Sequence, residues 1–436
     1  MTGHVEPRGK DSYRLTVQCG TKEGKQIRKR RTVHVTGRTE TQRRKEAEKL
    51  LAEFITEIER GLDIGGKKVT FSKFVERWLK DYAETNLAPM TLSRYKDLLN
   101  NLILPSIGHI KIDQLRPVHI IEFENMLREN GIRRDGKPGG FSEKTILQHH
   151  RIISSILNDA VQWQVIYSNP AVRVKPPKVP KKQAACYDED QMLTLLDALE
   201  RAPLKYRAIV DLALATGLRR GEIMGLDWKD INLDLCTLEV RQASQYLPEK
   251  GTFIKDPKNE TSKRLISVPA NTIALLKKWK AEQSKKRLKA GDLWHSKNEK
   301  GEDENWVFTT WNGRPMHPDT ISSWFPEFLS KIIIHKTCNE FMDKEDYCSH
   351  CDKKVPKEDV VRMPKLNFHG LRHTSATLLI AEGSDIKEVS GRLGHANAST
   401  TGNIYAHFLK KADQAAAEKM DNLMTRRKKS AAVKNS

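Results

Sequence analysis

Residues 213–228 read ALATGLRRGEIMGLDW, and the parsing of this stretch organises the reading of the whole C-terminal half. An apolar helix runs into Thr216-Gly217 and stops there, because glycine accepts the left-handed conformation in which helices commonly end. A new helix begins directly afterwards. Arg219 then lies at the turn, with Glu222 one helical turn further on and within its reach. Packing alone would not ask for a charged pair at the end of an apolar helix.

Three more segments further along the chain share this character. Residues 256–264, DPKNETSKR, read as a polar hairpin tip between strand-like runs, with Lys258 free to swing. In FHGLRHT (368–374) the i, i+3 spacing sets His369 and Arg372 on one helical face. The last comprises LGH at 393–395 and NIYAH at 403–407, which hold His395 and Tyr405. Each is weak evidence by itself, since a lone arginine is usually a surface residue and a tyrosine among apolar neighbours is usually core. Together they supply two arginines, two histidines, a lysine and a tyrosine, a set suited to moving a phosphodiester without metal. Arginine forks neutralise the non-bridging oxygens of a pentacoordinate phosphate. No GxxxxGK[ST] phosphate loop is present.

The 436 residues carry 76 Lys and Arg against 56 Asp and Glu, a net charge of +20 that points to a polyanionic partner, nucleic acid first. A mean hydropathy of −0.61 and the lack of a long apolar run exclude a membrane-spanning chain. Residues 1–10 lack the apolar core of a signal peptide, and the expectation is a soluble protein of the cytoplasm, nucleoid-associated when on DNA. Neither an internal repeat nor a long low-complexity tract is evident.

Between residues 8 and 38 ten basic side chains face two acids, with Arg28, Lys29, Arg30 and Arg31 consecutive. Tyr13–Val17 alternates like a strand, Gly20–Gly24 reads as a turn and Ile27–Val35 as a second β run. Leu50, Leu51, Phe54, Ile55 and Ile58 form a helical stripe. A small sheet with a helix across its back follows, leaving a basic face for DNA. From Thr70 the pattern is helical, with Phe71, Phe74, Val75 and Trp78 on one stripe, Thr91 as an N-cap, and helices over 117–130 and 142–164. Residues 169–183 interleave four prolines with Lys175, Lys178, Lys181 and Lys182 and read as a stiff basic linker.

Of the six cysteines, Cys19, Cys186 and Cys236 are scattered as ordinary buried thiols would be. The others form HxxC (His335, Cys338), nine residues, then CxxC (Cys348, Cys351), four ligands suited to tetrahedral Zn²⁺, with His350 competing with His335 for the fourth place. A zinc so held is structural, since no position is left for water.

TGLRRGE, the PK at 257–258, HGLRHTSATLL, LGHANASTT and the terminal tyrosine resemble, in order, the boxes of the tyrosine recombinase (phage integrase) family, as in integrases of phages and conjugative transposons. The spacings are 23 residues from Arg372 to His395 and 10 from there to Tyr405. The resemblance implies a multidomain chain. It comprises a small α+β arm-type DNA-binding domain (1–62), an all-α core-binding bundle (68–168), the linker, a mainly α catalytic domain with a small antiparallel sheet (184–425), and a basic tail (426–436). The zinc-binding insertion (335–357) departs from the family pattern.

The resemblance also assigns roles. Tyr405 is the nucleophile, Arg219 and Arg372 bind the phosphate, His369 and His395 hydrogen-bond it and help move the tyrosine's proton, and Lys258 protonates the leaving oxygen. Glu222 supports the site, and His373 is a structural neighbour. No cofactor is required for catalysis. The expected partners are double-stranded DNA at core and arm sites, a homo-tetramer on that DNA whose C-terminal helix (408–424) docks in trans, a host DNA-bending protein and an excisionase. A resolvase or type IB topoisomerase of the same chemistry, and a catalytically idle DNA-binding regulator, are the alternatives.

Overall fold

Leu15 and Val17 alternate with polar neighbours and are completely buried, which makes their strand the centre of the first sheet. The computed structural model describes residues 2–22, 25–59, 69–133, 135–180, 184–255, 263–297, 301, 303–395, 402 and 420. The chain divides into two compact units, Met1–Lys181 and Lys182–Ser436.

In the first unit β1 (Thr2–Gly9), β2 (Ser12–Lys22) and β3 (Lys25–His34) form an antiparallel sheet in that order. Helix α1 (Glu40–Glu59) lays Leu51, Phe54 and Ile58 on Leu15 and Val17. The sequence reading missed β1, because TGHVEPRG has no apolar alternation and contains Pro7; pairing of Val5 opposite Leu15 holds it instead. The expected turn at Gly20–Gly24 is narrower, since the strands reach Lys22 and Lys25 with a register shift between Gln18 and Thr21. Alternation also splits the run of four bases. Lys29 and Arg31 pair with Val17 and Leu15 on the helix side, where Arg31 lies 4.3 Å over the Phe54 ring, whereas Arg28 and Arg30 oppose Gln18 and Thr16 on the other face.

The helical part contains α2 (Phe71–Trp78) and α3 (Glu84–Asn86) joined through a π turn, α4 (Pro89–Leu98) and α5 (Leu104–Ile107) joined through another, α6 (Pro117–Arg128) and α7 (Glu143–Gln162). Thr70 and Ser142 cap α2 and α7 by accepting from the Lys73 and Thr145 N–H groups. Thr91 is not a cap: α4 starts two residues earlier, on Pro89, whose fixed φ suits a first helical turn. Phe71, Val75, Leu99, Ile103, Ile120, Ile153 and Ile156 are completely buried in one core, each contributing about 1.5–3 kcal/mol. Trp78 joins them and donates its Nε1–H to Asp159 at 2.6 Å. The linker begins later than its prolines suggest. Asn169 caps a short 3-10 turn over Pro170–Arg173, and Ala171 and Val174 are buried in the helical core. Lys175 and Lys178 beyond it are exposed; Lys181 and Lys182 lie outside the described residues.

The second unit opens with α8 (Glu189–Leu199), capped by Asp188, then α9 (Leu204–Thr216) and the short α10 (Arg220–Met224). Strands β4 (Ile231–Asn232), β5 (Thr237–Val240) and β8 (Arg264–Ser267) form one antiparallel sheet in the order β4-β5-β8, and β6 (Ala243–Leu247) pairs with β7 (Gly251–Lys255). The chain reverses at 248–250 between β6 and β7, and residues 256–262, read as a hairpin tip, lie outside the described residues. Helices α11 (Ala270–Ala290) and α12 (Pro318–Ser330) follow, then β9 (Ile333–His335), β10 (Tyr347–Cys348), β11 (Lys353–Lys354) and β12 (Val360–Arg362), and finally α13 (Gly370–Ala381) and α14 (Ile386–Leu393). Helix α9 is apolar on nearly every side and central to the core, with Trp279, Phe308 and Phe325 buried around it. Among the described residues no helix is long and apolar enough to cross a membrane. Cys19, Cys186 and Cys236, read as buried, are half-buried.

Candidate active site and metal centre

Two helix ends in left-handed glycines build the polar site. Gly217 (φ +65°) closes α9, and Gly394 (φ +65°) closes α14. A Cβ on Gly217 would stand 2.5 Å from a Leu393 methyl, so the two turns approach this closely only because Gly217 lacks a side chain. Arg372, on the first turn of α13 and 3% exposed, spans them by donating to the Gly217 carbonyl at 2.6 Å and the Leu393 carbonyl at 2.8 Å. Arg219, the N-cap of α10, donates to the Gly394 carbonyl at 3.0 Å and to Glu222 Oε1 at 2.7 Å, and its backbone N–H is received by Glu222 Oε2 at 3.0 Å. The TGLRRGE, HGLRHT and LGH segments thus come together through backbone carbonyls as well as side chains.

The histidines of this pocket are held neutral. Burial and then the charges of Arg372 and Arg219 push His395 down to about 4, and burial with His369 and Arg372 does the same to His373. His369, at the N-terminus of α13, is lowered by burial, Arg372, Arg219 and Arg220. Its ring meets that of His373 edge-on at 5.0 Å. Burial alone would raise Glu222, but hydrogen bonds and charge from Arg264 and Arg219 outweigh it and keep the carboxylate below its ordinary range. An open cleft of about 350 Å³ beside His369 is lined by Arg220, Ser322, Asn367 and Phe368. The cluster beside this cleft, cationic and holding imidazoles kept neutral, is suited to an anion.

The structure brings Arg219, Glu222, His369, Arg372, His373 and His395 into one cluster. Lys258 and Tyr405 lie outside the described residues, as does the helix read at 408–424 apart from Met420. Sequence reasoning missed Arg264 and Arg392. Arg264 grips Glu222 with both arms, and Arg392 donates to the Ala215 and Ser267 carbonyls. The signal for Arg264 was its position two residues before the buried Ile266, which places it on the inward face of a strand.

The second cluster lies in the insertion. His335 at the end of β9, Cys338, Cys348 at the end of β10 and Cys351 place one ligand atom each within 4.8 Å of the others. Cys338 Sγ stands 3.0 Å from His335 Nδ1 and 3.6 Å from Cys348 Sγ. Zinc–sulfur bonds of about 2.3 Å in a tetrahedron require S···S edges of about 3.8 Å, so the donor set fits Zn²⁺ in size as well as in chemistry. Asn339 and Asp352, each directly after a ligand cysteine, take left-handed φ of 58° and 53° and let both knuckles turn back. His335 settles the competition with His350, which is exposed and outside the cluster. Hydrogen bonds led by the Cys351 backbone pull the Cys348 thiol down to about 7, toward the thiolate a metal needs. Arg201 ties the knuckle to the body of the unit, 4.9 Å over the Phe341 ring.

The arginine pocket and the mainly helical unit around it define a phosphodiester-transfer fold, and comparison with known proteins specifies it. The sequence profile of the phage integrase family matches residues 186–412, and that of the phage integrase N-terminal SAM-like domain matches 70–128. The chain belongs to the phage integrase family and is a tyrosine-type site-specific DNA recombinase. It is 28% identical over 431 residues to a XerC-like tyrosine recombinase of Caldanaerobacter subterraneus, covering 95% of this chain and 97% of the relative. Against the ICEBs1 integrase of Bacillus subtilis it is 23% identical over 382 residues, covering 87% and 90%. Its fold is similar to that of the Tn1549 transposon integrase solved with a circular-intermediate DNA, with a TM-score of 0.60 at 20% identity over 81% of this chain and 99% of that one.

Proposed function

We propose that this recombinase is the integrase of a mobile element, integrating and excising DNA through a 3′-phosphotyrosine. Tyr405 attacks the scissile phosphate: its phenolic oxygen bonds to phosphorus as the bond to the 5′-oxygen breaks, and Lys258 protonates that oxygen. Arg219 and Arg372 take the non-bridging oxygens, and the neutral His369 and His395 hydrogen-bond the phosphate and accept the tyrosine's proton. An unperturbed tyrosine has a pKa near 10, about three units above neutrality, so a cationic pocket with proton acceptors is what the attack requires. Glu222 supports Arg219, and His373 stands behind His369. One observation carries this reading: both arginines reach the same turn, Arg372 through the Leu393 carbonyl and Arg219 through the Gly394 carbonyl, while Arg372 also holds the Gly217 carbonyl.

On this reading residues 1–62 bind arm sites through the face bearing Arg28 and Arg30, residues 68–168 and 184–425 hold the core site, and the basic segment with Lys175, Lys178, Lys181 and Lys182 follows the duplex. Four protomers assemble on double-stranded DNA with a host bending protein, and an excisionase sets direction, in the cytoplasm and on the nucleoid. The basic N-terminal sheet and the names of the ICEBs1 and Tn1549 relatives support an element-encoded integrase; the XerC-like relative favours a resolvase as the second reading. The knuckle holds a structural zinc.

The test incubates the protein with supercoiled plasmid carrying an attachment site, in EDTA and without ATP, followed by denaturation. A 3′-linked protein–DNA adduct that disappears in Tyr405→Phe is expected, and recombination between paired sites separates a recombinase from a topoisomerase. DNA binding without an adduct would overturn the assignment of the nucleophile.

A further inference from the structure

Glu222 is 6% exposed, and two arginines share its carboxylate. Arg264 holds it as a fork, Nη2 to Oε2 at 2.8 Å and Nη1 to Oε1 at 3.3 Å, while Arg219 gives it one arm, Nη1 to Oε1 at 2.7 Å. Exposure divides the two guanidinium groups: the Arg264 side chain is 8% exposed, and that of Arg219 is 41% exposed. Arg264 also donates its Nε–H to the Arg392 carbonyl at 2.8 Å and lies beneath the Gly394 turn, where a Cβ would stand 2.6 Å from its Nη1. It therefore touches the arginine box and the LGH box while remaining buried beneath both.

We propose that Arg264 is a positioning residue that satisfies the charge of Glu222, so that Arg219 keeps its own positive charge for the DNA phosphate. The inference rests on the reading that Arg219 binds that phosphate. Two guanidinium groups and one carboxylate leave a net +1, carried outward by the exposed partner. With Arg264 neutralised, Glu222 and Arg219 form a closed ion pair of net charge zero in a poorly solvated place, and the phosphate meets a guanidinium already committed to a carboxylate. The same argument states the remedy. Removing the charge of Glu222 as well restores a net +1 at Arg219.

The experiment measures single-turnover formation of the covalent adduct by the full-length protein on a nicked duplex carrying the attachment site, with duplex affinity and melting temperature read for every variant. Arg264→Gln is expected to slow cleavage by about 10²-fold, the loss typical for one electrostatic contact to a developing oxyanion, with duplex affinity little changed. Glu222→Gln placed on top of it is expected to recover at least about tenfold of that loss, since the two charges are coupled through Arg219. Arg264→Lys, which keeps the charge and gives up the fork, is expected to cleave within about tenfold of the parent and serves as the test if Arg264→Gln does not fold. A double variant as slow as Arg264→Gln or slower, or an Arg264→Lys as impaired as Arg264→Gln, overturns the charge role and leaves Arg264 as packing. Arg219→Ala separates the two levels: if it cleaves at the parental rate, the reading of Arg219 fails, and the inference falls with it.

Discussion

The catalytic unit contains two clusters of opposite sense, one of histidines among arginines and one of a histidine among cysteines. In the pocket His369, His373 and His395 stand among arginines, and the surroundings push every ring toward its neutral form. In the knuckle His335 stands among three thiols, one of them already drawn down toward thiolate. The pocket gathers rings of like tendency, whereas in the knuckle the Cys348 thiol is drawn down to about 7 and the Cys351 thiol, chiefly through its hydrogen bond with Cys338, is pushed up to about 11. The comparison teaches that the sign of a cluster's surroundings names its ligand: excess guanidinium is built for an anion, and soft donors at tetrahedral spacing for a cation.

The sharpest way to break this comparison is Arg372→Ala, which removes the bridge between the Gly217 and Leu393 carbonyls. Cleavage should fall about 10³-fold while duplex binding persists, measured as covalent adduct per bound DNA; near-parental cleavage would mean that the pocket is not where the phosphate sits. Next in size is the knuckle. The purified protein should contain one zinc per chain, and Cys348→Ser should lose it and lower the melting temperature of the catalytic unit by about 5–10 °C, read by metal analysis and calorimetry. A metal-free parent would leave the knuckle with no cationic ligand and end the symmetry.

A pH titration sharpens the pocket side. Above about 6.5 His373 and His395 are neutral in both folded and unfolded chains, so they contribute no difference. As pH falls below that value the unfolded chain takes up protons that the folded chain refuses down to about 4, and stability is progressively lost across that window. Urea midpoints between pH 7.5 and 4.5 should fall accordingly, and Asn at both positions should flatten the slope; an unchanged slope would mean the rings are not held neutral. The smallest effects belong to the N-terminal sheet. Arg30→Ala should weaken arm-DNA binding and reduce its salt dependence by about one phosphate, whereas Arg31→Ala should lower stability by about 0.5–1 kcal/mol through loss of the contact with Phe54.

Much of the fold was legible because its signals are local. The stripe of Phe71, Phe74, Val75 and Trp78, the helix over 142–164 and the alternation around Leu15 depend on neighbours a few residues away, and the structure holds each of them. The errors have physical causes too. Strand β1 exists through pairing with Leu15 and its neighbours rather than through its own pattern, and Asn169–Val174 abandoned the linker for the core because Ala171 and Val174 found apolar partners there. Consecutive bases at 28–31 looked like one patch until alternation divided them between two faces.

The sequence by itself displayed the chemical groups: the types and order of Arg219, His369, Arg372 and His395, and three clustered cysteines with two candidate histidines, were readable because reactive groups are defined by residue identity. Only the tertiary structure decided who shares a charge with whom. That Glu222 belongs to Arg264 as well as to Arg219, that His335 rather than His350 completes the knuckle, and that Arg372 joins two turns through their carbonyls are facts of through-space distance. The partners lie up to 155 residues apart in the chain, and electrostatic interactions depend on separation and burial, neither of which a linear order of residues contains.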